Sequence, residues 1–308
     1  MRIVSLLPST TEILYAIGAG EDVVGVTFEC DYPVEARERR IVSTSALPDG
    51  LDSAAIDAFV SAAMRAGEDL YHLDKGALAG LDADLVVTQD LCAVCAVDVS
   101  VVDDALAHLG CTADVLTIDP HTISEVLESI ITLGAAAGRA EPARRLVASL
   151  HGRLEAVEAE VADRGDNLRP RVLLLEWTDP PFAPGHWVPE MVVAAGGVPT
   201  IGAAGEKSVR VTWDQALAVE PDVVVCAPCG YDLAGSVALA QAVVDSDVLP
   251  EHISVWAVDA NASFARPGTR LVDGIENLAR IFDPAGSPPA PDGAQRVRPA
   301  SAQSVRAG

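Results

Sequence analysis

The sequence predicts an α/β fold of two lobes with mostly parallel sheets, joined by one long rigid helical connector. Three observations carry this. Short apolar strands alternate with helical stretches over residues 1–120, and again over 168–284. Between them, residues 121–167 hold a nearly unbroken helical pattern rich in Ala, Leu and Glu. The two halves also echo each other: LDADLVVTQDLCAVC at 81–95 resembles VEPDVVVCAPCGYDL at 219–233. Each copy is an acidic turn, a four-residue apolar strand and a loop with two cysteines, and two such lobes meeting at their loops make a cleft.

The first lobe opens on a strand, Ile3 to Leu7, broken by Pro8. Ser9, Thr10 and Thr11 offer N-cap hydroxyls, and Glu12 stands at the capping-box distance from Ser9. Ile13, Leu14 and Ile17 share a helical face that Gly18 and Gly20 terminate, and Val23 to Thr27 is the second strand. A helix N-terminus with hydroxyls at a strand's C-terminal end marks the edge where open α/β sheets take ligands. Further strands are expected at Ile41 to Ser45, Leu85 to Thr88 and Val115 to Asp119, with helices at Leu51 to Met64 and Val99 to Leu109. In the connector, Gly134, Gly138, Pro142 and Gly152 are the interruptions, and Pro142 suits the first turn of a new helix. The second lobe reads as strands Arg171 to Glu176, Val223 to Cys226 and Ser254 to Val258. Its helices are expected at Val188 to Ala195, Trp213 to Val219, Ser236 to Val244 and Thr269 to Phe282. Residues 285–308, rich in Pro, Ala, Gly and Ser, read as a disordered tail.

Composition narrows the function classes. Acidic residues outnumber basic ones 45 to 21, a formal net charge of −24, which excludes a nucleic-acid footprint. Lys75 and Lys207 are the lysines; the remaining basic side chains are arginines. No apolar stretch reaches the roughly 18 residues of a membrane span. No leader-like stretch precedes the first strand, so the chain as it stands is expected to be cytoplasmic, and periplasmic or extracellular if the true start lies upstream. A monomer is expected.

The run RIVSLLPSTTEILYAIGAGEDVVGVTFECDYP looks like the N-terminal signature of the helical-backbone substrate-binding proteins of ABC importers. These bind cobalamin, haem and ferric siderophores. RVLLLEWTDPPFAPGHWVPEMVVAAGG is similar to the cobalamin-binding branch, where a strand runs into a Pro-Pro-Phe loop. The resemblance spans about residues 1–282. It implies a ligand held between the lobes, cobalamin or a related corrinoid first and haem or a siderophore as alternatives. It also implies no required cofactor and a permease that recognises one acidic residue on each lobe. Asp214 stands at about that place in the second lobe, and the corresponding position of the first falls near Gly76.

Candidate ligand-binding residues follow from these loops. Trp177, Phe182 and Trp187, with Pro181 and His186, cluster after the second lobe's first strand in a chain only 4% aromatic, and offer a wide surface to a flat ligand. His186 suits cobalt or iron. Tyr32 and Tyr231 follow the cysteine loops and could bond ligand amides; Ser9 and Thr10 either bond ligand or only cap the helix. Asp31, Gln89, Asp90 and Asp179 lie on loops of the same edges. Cys92 and Cys95 form one CxxC and Cys226 and Cys229 another, with Cys30 on a neighbouring loop, so thiol-based metal binding or redox chemistry through Cys30, Cys92 and Cys95 is the alternative function. Cys111 and Cys226 read as buried small hydrophobes. No phosphate loop, HExxH, nucleophile elbow or kinase signature occurs, so a binding protein is expected rather than an enzyme.

Overall fold

A computed structural model of the chain describes residues 1–48, 50–66, 68, 70–73, 76–89, 113–164, 169–283 and 293–300. It divides into two compact units, Met1–Pro120 with Ser124–Ser149, and His121–Ile123 with Leu150–Gly308. The expected helix Val99 to Leu109 lies outside the described residues.

In the first unit, strands β1 (Ile3–Ser5), β2 (Val23–Val26), β3 (Arg40–Ile41), β6 (Leu85–Thr88) and β7 (Asp114–Thr117) form a parallel sheet in the order β3-β2-β1-β6-β7. The central strands are aliphatic and buried throughout, as a sheet covered on both faces requires. Val4, Leu6, Val42, Leu73, Leu81 and Val86 share one core. Helix α1 (Pro8–Ala16) links β1 to β2, and α2 is Ser53–Ala66.

The single strand expected at Ile41 to Ser45 is two. The Val42 N–H donates to the Val26 carbonyl at 2.9 Å and its side chain drops into the core. Beyond it, β4 (Ser43–Ser45) leaves the parallel sheet and pairs antiparallel with β5 (Tyr71–Leu73), a strand the sequence did not announce. The expected N-cap is also displaced. Helix α1 begins at Pro8, a residue suited to the first helical position; Leu7 is the cap residue, and no side chain caps the helix.

The connector is two helices, α3 (Ile123–Ala136) and α4 (Ala140–Arg164). Gly138, at φ +66°, makes the break, while Pro142 falls in the first turn of α4 and Gly152 stays helical. Arg139 anchors the corner, donating to Gly18 O at 3.2 Å and to Asp22 at 2.9 Å. α3 and α4 approach so closely that a Cβ on Gly134 would lie 2.3 Å from that of Ala143.

The second unit's sheet holds β8 (Arg171–Leu175), β11 (Val198–Pro199), β13 (Val223–Cys226) and β14 (Ser254–Val258) in parallel, closed by antiparallel β15 (Ala294–Arg298), in the order β11-β8-β13-β14-β15. A small antiparallel sheet, β12-β10-β9, is added by β9 (Trp177–Thr178), β10 (Pro181–Ala183) and β12 (Val209–Arg210). Helices α5 (Val188–Ala194), α6 (Trp213–Leu217), α7 (Leu233–Asp245), α8 (Ala260–Ser263) and α9 (Leu271–Ile281) complete the unit. Arg153 of α4 forks onto Glu276 of α9 at 2.8 Å through two nitrogens and also pairs with Asp273, which ties the second half of α4 to this unit.

Within the segment expected to be a disordered tail, residues 294–298 form the strand β15. Arg296 places its guanidinium 4.6 Å from the centre of the Trp256 ring, and Arg298 donates to the carbonyls of Ile253 and Pro250 at 3.1 and 2.8 Å. These contacts help to hold the AQRVR segment as a strand, which covers the edge of β14.

At an open helical position Gly→Ala stabilises by about 1 kcal/mol, but the approach to Ala143 reverses the sign. Gly134→Ala is expected to lower stability by about 1–3 kcal/mol, and Ala143→Gly in the same chain to restore part of it. Denaturant midpoints of the three variants check this; an unchanged Gly134→Ala midpoint would contradict the close approach.

Candidate functional site

In each unit the strand order reverses direction at one place, between β1 and β6 in the first and between β8 and β13 in the second. In open α/β sheets ligands bind beyond the carboxyl ends of the strands at such a switch point; the loop that follows β6 lies outside the described residues. The Ala227 N–H donates to Leu175 O at 2.9 Å and the Cys229 N–H to Glu176 O at 3.0 Å, so in the second unit the two strands stay joined just past their ends before separating.

Beyond this point the chain builds a row of rings. Trp177 on β9 stands opposite Phe182 on β10, which stands opposite Arg210 on β12. Directly opposed residues of antiparallel strands project to the same face. The alternate residues Thr178, Pro181 and Ala183 are buried on the other face, whereas Trp177 and Phe182 are half-buried and Arg210 is exposed. Tyr231 extends the row, its ring centre 5.7 Å from that of Trp177, and Arg210 ends it, 5.7 Å from the centre of the Phe182 ring. The Trp177 indole N–H is held by Asp179 O at 3.0 Å, which fixes the ring's orientation. Tyr231–Trp177–Phe182–Arg210 is therefore one continuous surface, three parts aromatic and one part cationic.

Glu176 immediately precedes Trp177. Its carboxyl accepts from the Ser208 hydroxyl and from the Gly185 N–H at 3.3 Å. Burial pushes this carboxyl up to about 7 despite those two donors. Gly185 is needed there because a Cβ would meet the backbone of Glu206 to Ser208 at 2.4–2.6 Å. The next residue, His186, is left-handed at φ +49°, held by its N–H to Glu206 O at 2.6 Å and by Gly205 N–H to its own carbonyl at 2.9 Å. A non-glycine residue in that region costs about 1–2 kcal/mol and marks a place fixed by its surroundings. Burial, then the nearby His121 and Lys207, lower the His186 pKa, which favours the neutral imidazole. The His121 and His186 rings meet edge to face at 5.7 Å.

The other expected site residues are dispersed. Trp187 is a core residue, its indole N–H donating to Phe264 O at 2.8 Å. Thr10 is fully buried, sharing a 2.7 Å hydrogen bond with Ser5 and donating to Leu7 O at 3.1 Å; Ser9 is buried beside it. Cys30 is buried within hydrogen-bonding distance of Thr11, at 3.1 Å. Asp31 and Gln89 lie partly exposed after β2 and β6, and Tyr32 is exposed. Cys226 is buried in the sheet, which pushes its thiol up to about 12 and makes it inert, while Cys229 is exposed beside Tyr231. Asp214 is exposed in the first turn of α6. Asp90, Cys92, Cys95 and Cys111 lie outside the described residues. Among the described residues, no three of His, Cys, Asp and Glu converge as a metal site, and no helix is long and apolar enough to cross a membrane.

Glu176, Ser208 and Arg210 were not singled out from sequence. Glu176 carried a signal, a charged residue ending a five-residue buried strand. Arg210 sits in a short SVRV alternation with nothing to distinguish it from an ordinary edge strand.

The profile of the periplasmic binding protein family matches residues 3–252, and the chain belongs to this family of ABC-importer solute receptors, whose members bind rather than transform their substrates. An uncharacterized ABC transporter substrate-binding lipoprotein of Bacillus subtilis, YvrC, is 28% identical over 294 residues, covering 92% of this chain and 80% of that protein. The fold is shared with a periplasmic haem-binding protein of Pseudomonas aeruginosa at TM-score 0.71 and 16% identity, covering 97% and 99% of the two chains. It is also shared with the periplasmic vitamin B12 binding protein BtuF of Vibrio cholerae at TM-score 0.60 and 22% identity, covering 93% and 98%.

The raised carboxyl gives a pH signature. Glu176 binds its proton more tightly folded than unfolded, so stability falls as pH rises from about 4.5 to 7 and stays lower above that. Its contribution is on the order of 1–3 kcal/mol across that window. Glu176→Gln is expected to flatten the stability profile between pH 5 and 8, read by thermal unfolding at a series of pH values; an unaltered slope would assign the dependence elsewhere.

Proposed function

We propose that this chain is the solute receptor for a flat metal–tetrapyrrole, with cobalamin or a related corrinoid as the first candidate and haem or a ferric siderophore as its rivals. The observation that carries this reading is the row Tyr231–Trp177–Phe182, two rings on one face of the small sheet and the third on the loop after β13, next to the second unit's strand-order switch point. Aromatic side chains give wide contact area with little rotamer entropy to lose, which suits a large rigid disc. Binding is by shape and stacking, with polar groups at the rim orienting the ligand. Asp214, exposed on α6, is the residue of the second unit that would meet a cationic patch on the permease.

Titration of the purified chain with cyanocobalamin, dicyanocobinamide and haem, followed by visible absorbance and tryptophan quenching, tests the reading. Saturable binding by at least one of the three is expected, and Trp177→Ala should weaken it about 10- to 100-fold, as loss of a central aromatic contact does. Absence of binding to all three, or an unchanged affinity in Trp177→Ala, would contradict it. Asp214→Arg is expected to leave ligand affinity within two-fold and to cut uptake in cells dependent on this receptor; uptake at the wild-type rate would remove Asp214 from the docking surface.

A further inference from the structure

The geometry points to Arg210 as the residue that reads an anionic oxygen group on the edge of the bound chelate, a carboxylate or a phosphodiester. The inference rests on the tetrapyrrole reading and narrows it to ligands whose ring carries negative charge at one side. Three features argue for it.

Arg210 is on the same face of the small sheet as the aromatic row and directly beside Phe182, so a disc stacked on Trp177 and Phe182 would bring its edge to the guanidinium. The head group is held 5.7 Å from the centre of the Phe182 ring, so part of its ordering is already met before ligand arrives. Guanidinium matches carboxylate and phosphate oxygens through paired N–H donors, where an ammonium offers a point charge.

The wider charge distribution gives the residue its importance. A chain with net charge −24 repels anions at long range. A negatively charged ligand edge therefore needs a local cation, and the segment closing the small sheet supplies Lys207 and Arg210 within four residues, one of them one of the chain's two lysines. Lys207 adjoins Ser208, the residue bonded to Glu176, so the strand bearing Arg210 is pinned at its start.

Haem and its dimethyl ester isolate the charge from the ring, and a second pair differs by a nucleotide loop that includes the anionic group. Haem carries two carboxylates and haem dimethyl ester none; cyanocobalamin carries a phosphodiester and dicyanocobinamide lacks it. Affinities of the full chain and of Arg210→Gln are measured for all four. Arg210→Gln is expected to weaken the charged member of at least one pair about ten-fold while its uncharged counterpart stays within two-fold, and Arg210→Lys to recover part of the loss. The pair that responds identifies the source of the anion. Equal losses for charged and uncharged members would reduce Arg210 to a packing role, and no loss for either charged probe would overturn the proposal while leaving the receptor reading intact. If wild type binds none of the four, the receptor reading and the proposal fall together.

Discussion

The second unit's open edge depends on what happens to one carboxyl, that of Glu176. The residue ends a strand whose four preceding side chains are buried aliphatics, so the main chain delivers it to the sheet's carboxyl edge with no freedom to retreat. From there it holds two other segments: Gly185 through its N–H and Ser208 through its hydroxyl. Those segments also grip each other through His186 and Glu206, packed so tightly that Gly185 has no room for a side chain. The small antiparallel sheet bearing the rings is strung between these fixed points. Removing the junction would release β12 before it disturbed the parallel sheet beneath, since the latter is secured by its own aliphatic core.

The arrangement explains how an acidic chain of few aromatics can present a surface suited to a large flat ligand. Rings are spent where backbone register places them side by side, and the guanidinium beside Phe182 supplies the positive end that the overall charge lacks. The first unit's corresponding edge is built otherwise. Its hydroxyls, on Ser5, Thr10 and Thr11, are turned inward to one another and to the Leu7 carbonyl. No side chain caps α1, and these residues instead form a buried polar knot at the strand–helix junction.

Much of the architecture was legible because parallel strands buried on both faces are continuous aliphatic runs, as at Leu85–Thr88 and Val223–Cys226. Edge and two-residue strands were not, because their pairing is decided by distant partners. Val42 splitting β3 from β4 is one case, and β15, stabilised by a guanidinium on Trp256, is another. Of the aromatic cluster expected after the second unit's first strand, Trp177 and Phe182 stand side by side and are joined by Tyr231 from the loop after β13, while Trp187 belongs to the core and the inward-turned Thr10 to α1. Arg210 was hidden because its place beside Phe182 comes from pairing with a strand more than twenty residues away, which no local pattern encodes.

The central claim is that ligand binds on the face formed by β9, β10, β12 and the loop bearing Tyr231. Hydrogen–deuterium exchange with and without the chelate that binds measures this directly. The account predicts slowed exchange in residues 177–183, 209–211 and 229–233, with β14 unchanged. Saturated binding that leaves those three segments exchanging at their unliganded rates would contradict it.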